Sequence, residues 1–182
     1  PSDNSSRSLC VYITNSTALE IGFGSNTWNP LTTSSILKLH KWNHVAVSFD
    51  GTAMQVFVNG VLKTTDNRFA GKTPNATPIR YIGKINDPFS GMLDEVRIWN
   101  VVRSGEQINA TRQSQLTGNE AGLIGYWNFD EHVNPIPDLS SNNNNGNVYN
   151  ADFVRNANSN SDTNPLVLDL SISSVNGSTV SV

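Results

Sequence analysis

Two turn signals separate three short stretches in the first third of the chain, and this pattern constrains the fold more than any other feature. Apolar side chains alternate along 44–49 and 54–58, and a third stretch starts at 61–65. Asp50-Gly51 and Asn59-Gly60 stand between them. Asn-Gly is typical of a type I′ hairpin turn, which needs positive φ at both central residues. The pattern predicts an antiparallel three-stranded meander with one buried face.

The rest of the chain repeats this pattern of short strands and polar turns. Alternating or apolar runs also occur at 8–14, 18–24, 79–84, 89–99, 122–130 and 147–154. One helix is predicted, from Ser104, which has Gln107 three residues later as in a capping box, to about Arg112. Many short strands with a single helix predict an all-β fold, an antiparallel β-sandwich of the jelly-roll type with one short helix.

Composition excludes several classes of partner. The chain has 182 residues and a formal charge of −3, so it has no basic footprint for nucleic acid. It contains no apolar run approaching the roughly 18 residues of a membrane span, so membrane insertion is not expected. Cys10 is the one cysteine, which rules out an intrachain disulfide.

Two acidic residues, Asp94 and Glu95, stand side by side within 89–99. A regular strand points adjacent side chains to opposite faces. Glycoside hydrolases of the retaining type need two carboxylates about 5–5.5 Å apart, and adjacent acids on a regular strand do not provide this. The same holds for Asp130 and Glu131. The sequence therefore predicts no catalytic residues and a protein that is not an enzyme.

Four motifs, in this order and spacing, resemble the laminin-G-like/pentraxin-like domains of the concanavalin A-like lectin/glucanase group. They lie at 41–51, 56–61, 91–99 and 103–108, and the resemblance covers roughly 8–154. It implies two curved antiparallel sheets packed face to face. It also implies a binding module for glycans or proteins, in many cases with calcium, in a secreted or surface-anchored bacterial protein.

The resemblance also bears on domain organisation. Such domains usually open with one or two strands before Ser8, whereas 122–131 and 138–146 resemble such an opening. Either the chain is a fragment of a tandem array, or 122–154 closes the sandwich in place of the usual first strands. The second alternative is favoured, because an uncapped sheet edge is an aggregation hazard. The expected organisation is a sandwich at 1–154, a linker at 155–164 and a strand-like tail at 165–182. That tail would start another module or pair along an edge.

Calcium is the expected cofactor, because the resemblance implies it and the chain offers oxygen ligands near the predicted strand ends. The candidate ligands are Asp94, Glu95, Asp50 and Asp87. Asp94 has a structural alternative, in which its carboxylate accepts hydrogen bonds from backbone or indole N–H groups and fixes a loop.

Aromatic faces suit stacking on flat, partly apolar partners such as sugars. The predicted ligand-binding residues are Trp28, Tyr81 and Asn86, and Trp28 could instead plug the core edge. Trp99 and Tyr126 are further candidate platforms, although Trp99 shares parity with Leu93 and could instead be a core residue. The motif tryptophans Trp42 and Trp127 are predicted to be core residues.

Two functional hypotheses follow. The first is a non-catalytic, calcium-assisted carbohydrate-binding or adhesion module, a lectin-like part of a secreted multidomain protein located outside the cell or at the cell surface. The second is a structural or protein-interaction module of a surface or particle assembly without a glycan ligand. In the second case the C-terminal tail would add to a neighbour's sheet.

Overall fold

Strands form most of the regular structure in the computed structural model. It describes residues 9–14, 17–24, 29–73, 81–85, 87–153 and 165–172, with the backbone alone at 84–85, 87–88 and 165–172. In chain order the elements are β1 Cys10–Thr14, β2 Ala18–Gly22, β3 Leu31–Thr32, β4 Asn43–Phe49, β5 Met54–Val58, β6 Val61–Asp66, β7 Lys84–Ile85, β8 Asp87–Pro88, β9 Met92–Trp99, α1 Gly105–Thr111, β10 Leu123–Trp127 and β11 Pro165–Ile172.

The predicted meander forms one side of a six-stranded sheet with the order β10-β9-β11-β4-β5-β6. β4 pairs antiparallel with β5, and β5 pairs antiparallel with β6. Asn59 and Gly60 have φ of 54° and 78°, as a type I′ turn requires. The hairpins are therefore where the turn signals predict them.

The strand of the C-terminal tail lies inside this sheet. β11 pairs in parallel with β4 on one side and with β9 on the other. Pairing along an edge was one of the two expectations for the tail, and the strand instead occupies a central place. β10, from the late segment 122–154, pairs with β9 at one edge of the sheet. The proposed domain boundaries stay a prediction.

A second sheet, β1-β2-β3, faces the first and closes the main core. Leu19 and Ile21 from β2 belong to the same buried cluster as Val45, Val47 and Phe49 from β4. Each buried side chain of this size contributes roughly 1.5–3 kcal/mol of transfer free energy. The predicted all-β fold, with mostly antiparallel strand pairing and one short helix, is confirmed, although β11 pairs in parallel with both of its neighbours.

The helix covers the opposite face of the six-stranded sheet. Ile108 of α1 is buried against Ala46 and Phe57. Ser104 and Gln107 form the predicted capping box, with each side chain bonded to the other's backbone N–H. The helix ends at Thr111. No helix within the described residues is both long and apolar enough to cross a membrane.

Candidate functional site

A β-bulge interrupts β9 at the acidic pair. Val167 of β11 pairs with Asp94, but Asp169 pairs with Arg97, so β9 carries one extra residue in this interval. Glu95 has a φ of 53°, which is rare for a side chain of this kind. The expectation of a regular strand is therefore wrong at Glu95, because bulges leave one residue out of the ladder and redirect the neighbouring side chains.

The carboxylate of Glu95 is held by two buried partners. Arg97, which is 0% exposed, donates to Glu95 and to the carbonyl oxygens of Thr111 and Ser114. The Tyr126 hydroxyl donates to the same carboxylate, with oxygen–oxygen distances of 3.0 and 3.1 Å. Burial, together with the negative charge of Glu95, raises the pKa of Tyr126 to about 12. Glu95 is thus part of a structural network that joins β9, β10 and the end of α1.

Asp94 has a different environment. Its side chain is half-buried and its Oδ1 accepts the backbone N–H of Glu95 at 2.9 Å, as the structural alternative describes. Burial raises the pKa of Asp94 to about 6, and the negative charges of Glu95 and Asp130 act in the same direction. A carboxyl group with a raised pKa in a cleft is typical of functional sites.

We expect Asp94→Asn to stabilise the protein at neutral pH. The folded-state pKa lies above the unfolded value of 3.8, so between these values the folded state keeps a proton that the unfolded chain has lost. Stability then falls as pH rises through this window. The variant should gain roughly 1 kcal/mol above about pH 6, allowing for solvent screening, and match the parent below about pH 4. Urea unfolding across this pH range measures the difference.

Asp50→Asn is the matched control. Asp50 accepts the N–H groups of Ala53 and Thr52, which lower its pKa. Its contribution to stability is present above the unfolded pKa and is lost as pH falls, so Asp50→Asn should be less stable than the parent at neutral pH. If Asp94→Asn were also less stable than the parent at neutral pH, the assigned cost of the Asp94 charge would be wrong.

Asp94 lines a cleft of about 850 Å³. One wall comes from Trp42, 81–83, Phe89 and 91–94, and the other comes from 127–130, His132, Ile136 and the Asn-rich segment 143–153. This volume falls within the range of ligand pockets, roughly 300–1,000 Å³. The cleft is therefore large enough for a ligand such as a short oligosaccharide.

Aromatic side chains stand exposed along the cleft. Tyr81, a predicted ligand-binding residue, is 64% exposed, and Tyr149 is 78% exposed. Trp42 is 37% exposed and lines the same cleft, so its prediction as a core residue is wrong. It lies just before β4, where the chain enters the sheet from a turn, and the motif alone does not show that this position faces outwards.

The Asn-rich wall is held by a carboxylate that the sequence did not single out. Asp138 is buried, and its oxygens accept N–H groups from Tyr126, Ser140 and Asn144 at 2.8–2.9 Å. The indole of Trp127 donates to the carbonyl of Asn144 at 3.1 Å. Trp127 is buried, as predicted. These bonds fix the loop backbone and leave its outer Asn side chains beside the cleft.

The four predicted calcium ligands are not brought together. Val167 of β11 pairs with Asp94 of β9 on one side and with His44 of β4 on the other, so Asp94 and His44 lie at the same level of the sheet. Asp50 lies six residues beyond His44, which places it roughly 20 Å from Asp94 along the strand direction. Glu95 is bonded to Arg97 and Tyr126, and only the backbone of Asp87 is described. Within the described ranges, no group of three or more His, Cys, Asp or Glu side chains is arranged to hold a metal ion.

The remaining predicted ligand-binding residues divide into two groups. Trp28 and Asn86 lie outside the described residues. Trp99 and Tyr126 are buried. Trp99 is therefore a core residue, as its alternative describes, and the prediction of Tyr126 as a platform is wrong. Both face the helix side of the sheet, where Arg103 stacks over Trp99 at 3.9 Å from the ring centre.

Comparison with known proteins decides the family. A laminin G family model, described as the concanavalin A-like lectin/glucanases superfamily, matches residues 2–109, which is more than half of the chain. The chain belongs to this superfamily. No curated protein and no solved structure matches the chain. Membership of the concanavalin A-like superfamily supports a jelly-roll β-sandwich and, in general, a non-catalytic binding module.

The matched part of this concanavalin A-like domain holds only one wall of the cleft. Trp42, Tyr81 and Asp94 lie within 2–109, whereas Asp130 and the Asn-rich segment follow it. The cleft therefore depends on how the later part of the chain packs beside the family domain.

Proposed function

We propose that the protein is a non-catalytic carbohydrate-binding or adhesion module and that its cleft holds the glycan. The observation that supports this proposal best is the combination, in one cleft, of exposed aromatic rings and a polar wall. Tyr81, Trp42 and Tyr149 offer faces for stacking, and sugars present apolar C–H faces that stack on such rings. The Asn-rich wall offers amide donors and acceptors for hydroxyl groups.

Rigid polar groups favour recognition of a hydroxyl-rich ligand. The Asp138 carboxylate accepts the backbone N–H of Asn144, and the Asp138 N–H donates to the side-chain oxygen of Asn145, so this part of the Asn-rich wall loses little freedom when a ligand binds. Asp94 is a further acceptor for sugar hydroxyls, because only its Oδ1 is used by the backbone of Glu95. Membership of the superfamily makes an extracellular or cell-surface location part of the same proposal.

Calcium assistance stays a prediction, with Asp94 as the carboxylate of the cleft that would contact the ion. Calcium takes six to eight oxygens, and the predicted carboxylates do not converge, so most ligands would have to be amide or carbonyl oxygens of the Asn-rich wall and hydroxyls of the glycan. Glycan binding that is lost on chelation and restored by calcium would support this prediction. Binding that chelation leaves unchanged would contradict it.

The protein-interaction alternative rests on the tail, and its structure weakens that argument. β11 pairs on both sides within its own sheet, so in this arrangement it does not offer a free strand to a neighbour. The cleft, in contrast, offers exposed aromatic groups that a purely structural role does not require.

A glycan array followed by calorimetry tests the proposal. We expect the parent to bind at least one oligosaccharide, and Tyr81→Ala and Trp42→Ala to weaken binding by about tenfold each, since stacking of this kind is worth roughly 1 kcal/mol or more. Leu62→Ala, on the exposed strand β6 outside the cleft, is the control and should bind as the parent does.

Two results would contradict the proposal. One is the absence of any glycan ligand, and the other is unchanged binding by both aromatic variants. Chromatography of the recovered oligosaccharide separates binding from hydrolysis, because Asp94 and Asp130 both line the cleft. Intact oligosaccharide is the expected result for a non-catalytic module.

A further inference from the structure

We propose that the cleft selects glycans with free amino groups, such as oligomers of glucosamine, over acidic glycans and over their N-acetylated counterparts. This inference rests on the proposed function, because it concerns the chemical class of ligand in the same cleft. It adds a charge preference that neither the family nor the fold specifies.

The carboxylates and the lack of Lys and Arg give the described lining of the cleft formal charge of one sign. Asp94, Asp130 and Asp152 line it, and no Lys or Arg side chain stands among its described lining residues. His132 also lines the cleft, with its ring edge-on to Phe153 at 5.5 Å between ring centres. A negatively charged glycan would meet like charges at close range, while a cationic one would be attracted.

Among the acids that line the cleft, Asp94 is the partly buried one, and it has no ion-pair partner among the described side chains. Glu95 is neutralised by Arg97, and the other ion pair among the described side chains, Arg68–Asp66, lies on the surface. Asp94 is in neither pair, although it is half-buried and lines the same cleft as Asp130 and Asp152. An ammonium group in the cleft would offset both the burial of the Asp94 carboxylate and the repulsion from Asp130.

The aromatic groups favour the same ligand. A cation near the face of Trp or Tyr is attracted by the ring quadrupole, typically by about 0.5–1 kcal/mol at exposed sites. Trp42, Tyr81 and Tyr149 are exposed along the cleft that Asp94 lines. A glucosamine unit could therefore stack its apolar face on a ring and direct its amine to a carboxylate. An N-acetyl group removes that charge and keeps the stacking.

Calorimetry with three tetrasaccharides tests the inference at about pH 6.5 and at constant ionic strength. The probes are the tetramers of glucosamine, N-acetylglucosamine and galacturonic acid. We expect the glucosamine tetramer to bind about fivefold to tenfold more tightly than the N-acetylated one, and the acidic tetramer to bind weakest. Asp94→Asn should bind the two hexosamine tetramers equally. Asp130→Asn should reduce the difference in affinity between the two hexosamine tetramers, and it replaces Asp94→Asn as the test if that variant does not fold.

Glu106→Gln is the control, because Glu106 lies on α1, outside the cleft, and the variant should keep the preference of the parent. Equal binding of the two hexosamine tetramers by the parent would overturn the charge preference and leave the proposed function intact. An amine preference that persists in both Asp variants would also overturn the inference. Failure of every oligosaccharide in the array and the titrations would instead contradict the proposed function itself.

Discussion

A chain that ends at Asn164 is expected to lose most of its folding free energy, because this truncation removes β11 from the middle of the six-stranded sheet. Residues Leu166–Ile172 align with β4, and most of β11 also aligns with β9. Without β11 the two neighbours stand about two strand spacings apart, roughly 9.5 Å, which is too far for direct pairing. Both would then have unpaired backbone groups within a largely buried sheet.

The expected loss is of the order of 5 kcal/mol or more, since several backbone hydrogen bonds contribute roughly 0.5–1.5 kcal/mol each and whole domains have about 5–15 kcal/mol of stability. Circular dichroism and urea unfolding of the truncated chain measure it. A chain that ends at Ile172 keeps β11 and is the control, so the difference between the two truncated chains measures the contribution of this strand.

Addition of a synthetic peptide with residues 165–172 provides a second measurement. The peptide should restore cooperative unfolding to the truncated chain, whereas a peptide with Leu168→Pro should not, because proline removes a ladder donor in a central strand. Equal unfolding midpoints for the chains that end at 164 and at 172 would show that the central place of β11 does not contribute to stability.

The parts of the fold that follow local rules could be predicted from the sequence. The turn at Asn59-Gly60 is specified by backbone conformations that few residue pairs adopt, and its position sets the register of the β5–β6 pairs beside the turn, before a bulge shifts it between Val56 and Phe57. The capping box at Ser104 is likewise a short-range signal, and it places the start of α1 correctly. These features depend on neighbours in sequence, so no knowledge of the tertiary structure is needed.

The position of β11 could not be predicted in the same way. An alternating stretch indicates a strand, but its pairing partners are distant in sequence, and parallel pairing with both β4 and β9 leaves no local pattern. The bulge at Glu95 could not be predicted either, because it also depends on a contact with another strand. A positive φ at a glutamate is tolerated where tertiary contacts over-determine it, and the contacts of Glu95 come from Arg97 and from Tyr126 on another strand.

The candidate site was predicted only in part for a related reason. Tyr81 and Asp94 were identified from residue type and position, and both line the cleft. The opposite wall comes from the segment after Tyr126, which pattern rules describe only as turn-rich. Asp138 gives that segment a fixed shape through hydrogen bonds to backbone N–H groups six to twelve residues away. A single buried carboxylate in an Asn-rich stretch has no spacing rule that would reveal this role.

Replacement of the buried arginine in the Glu95 network is expected to have the second large effect. Arg97→Met removes the donors to Glu95 and to the carbonyl oxygens of Thr111 and Ser114. The cost should be about 3–5 kcal/mol, because the Glu95 carboxylate, which is only 15% exposed, loses its charged partner and two carbonyl oxygens lose their donor. Arg97→Met combined with Glu95→Gln should cost less than the sum of the single variants, with a coupling of about 1–3 kcal/mol. Urea unfolding of the four proteins measures the cycle.

The pair Arg68–Asp66 is the matched control, because its side chains are 34% and 20% exposed. Arg68→Met should cost under about 1 kcal/mol, as surface ion pairs do. A similar cost for both arginine variants would contradict the structural role of Arg97.

Arg97→Met also tests whether the Glu95 network affects the charge of Asp94 in the cleft. With Arg97 replaced, the charge of Glu95 is no longer neutralised beside Asp94, and the positive charge of Arg97, which lowers the pKa of Asp94, is lost. The pKa of Asp94 should then rise further above its value of about 6. NMR titration of the Asp94 carboxyl carbon in the folded variant measures this shift, and Arg68→Met should leave it unchanged. An unchanged titration in Arg97→Met would show that the network stabilises the fold without setting the charge of the cleft.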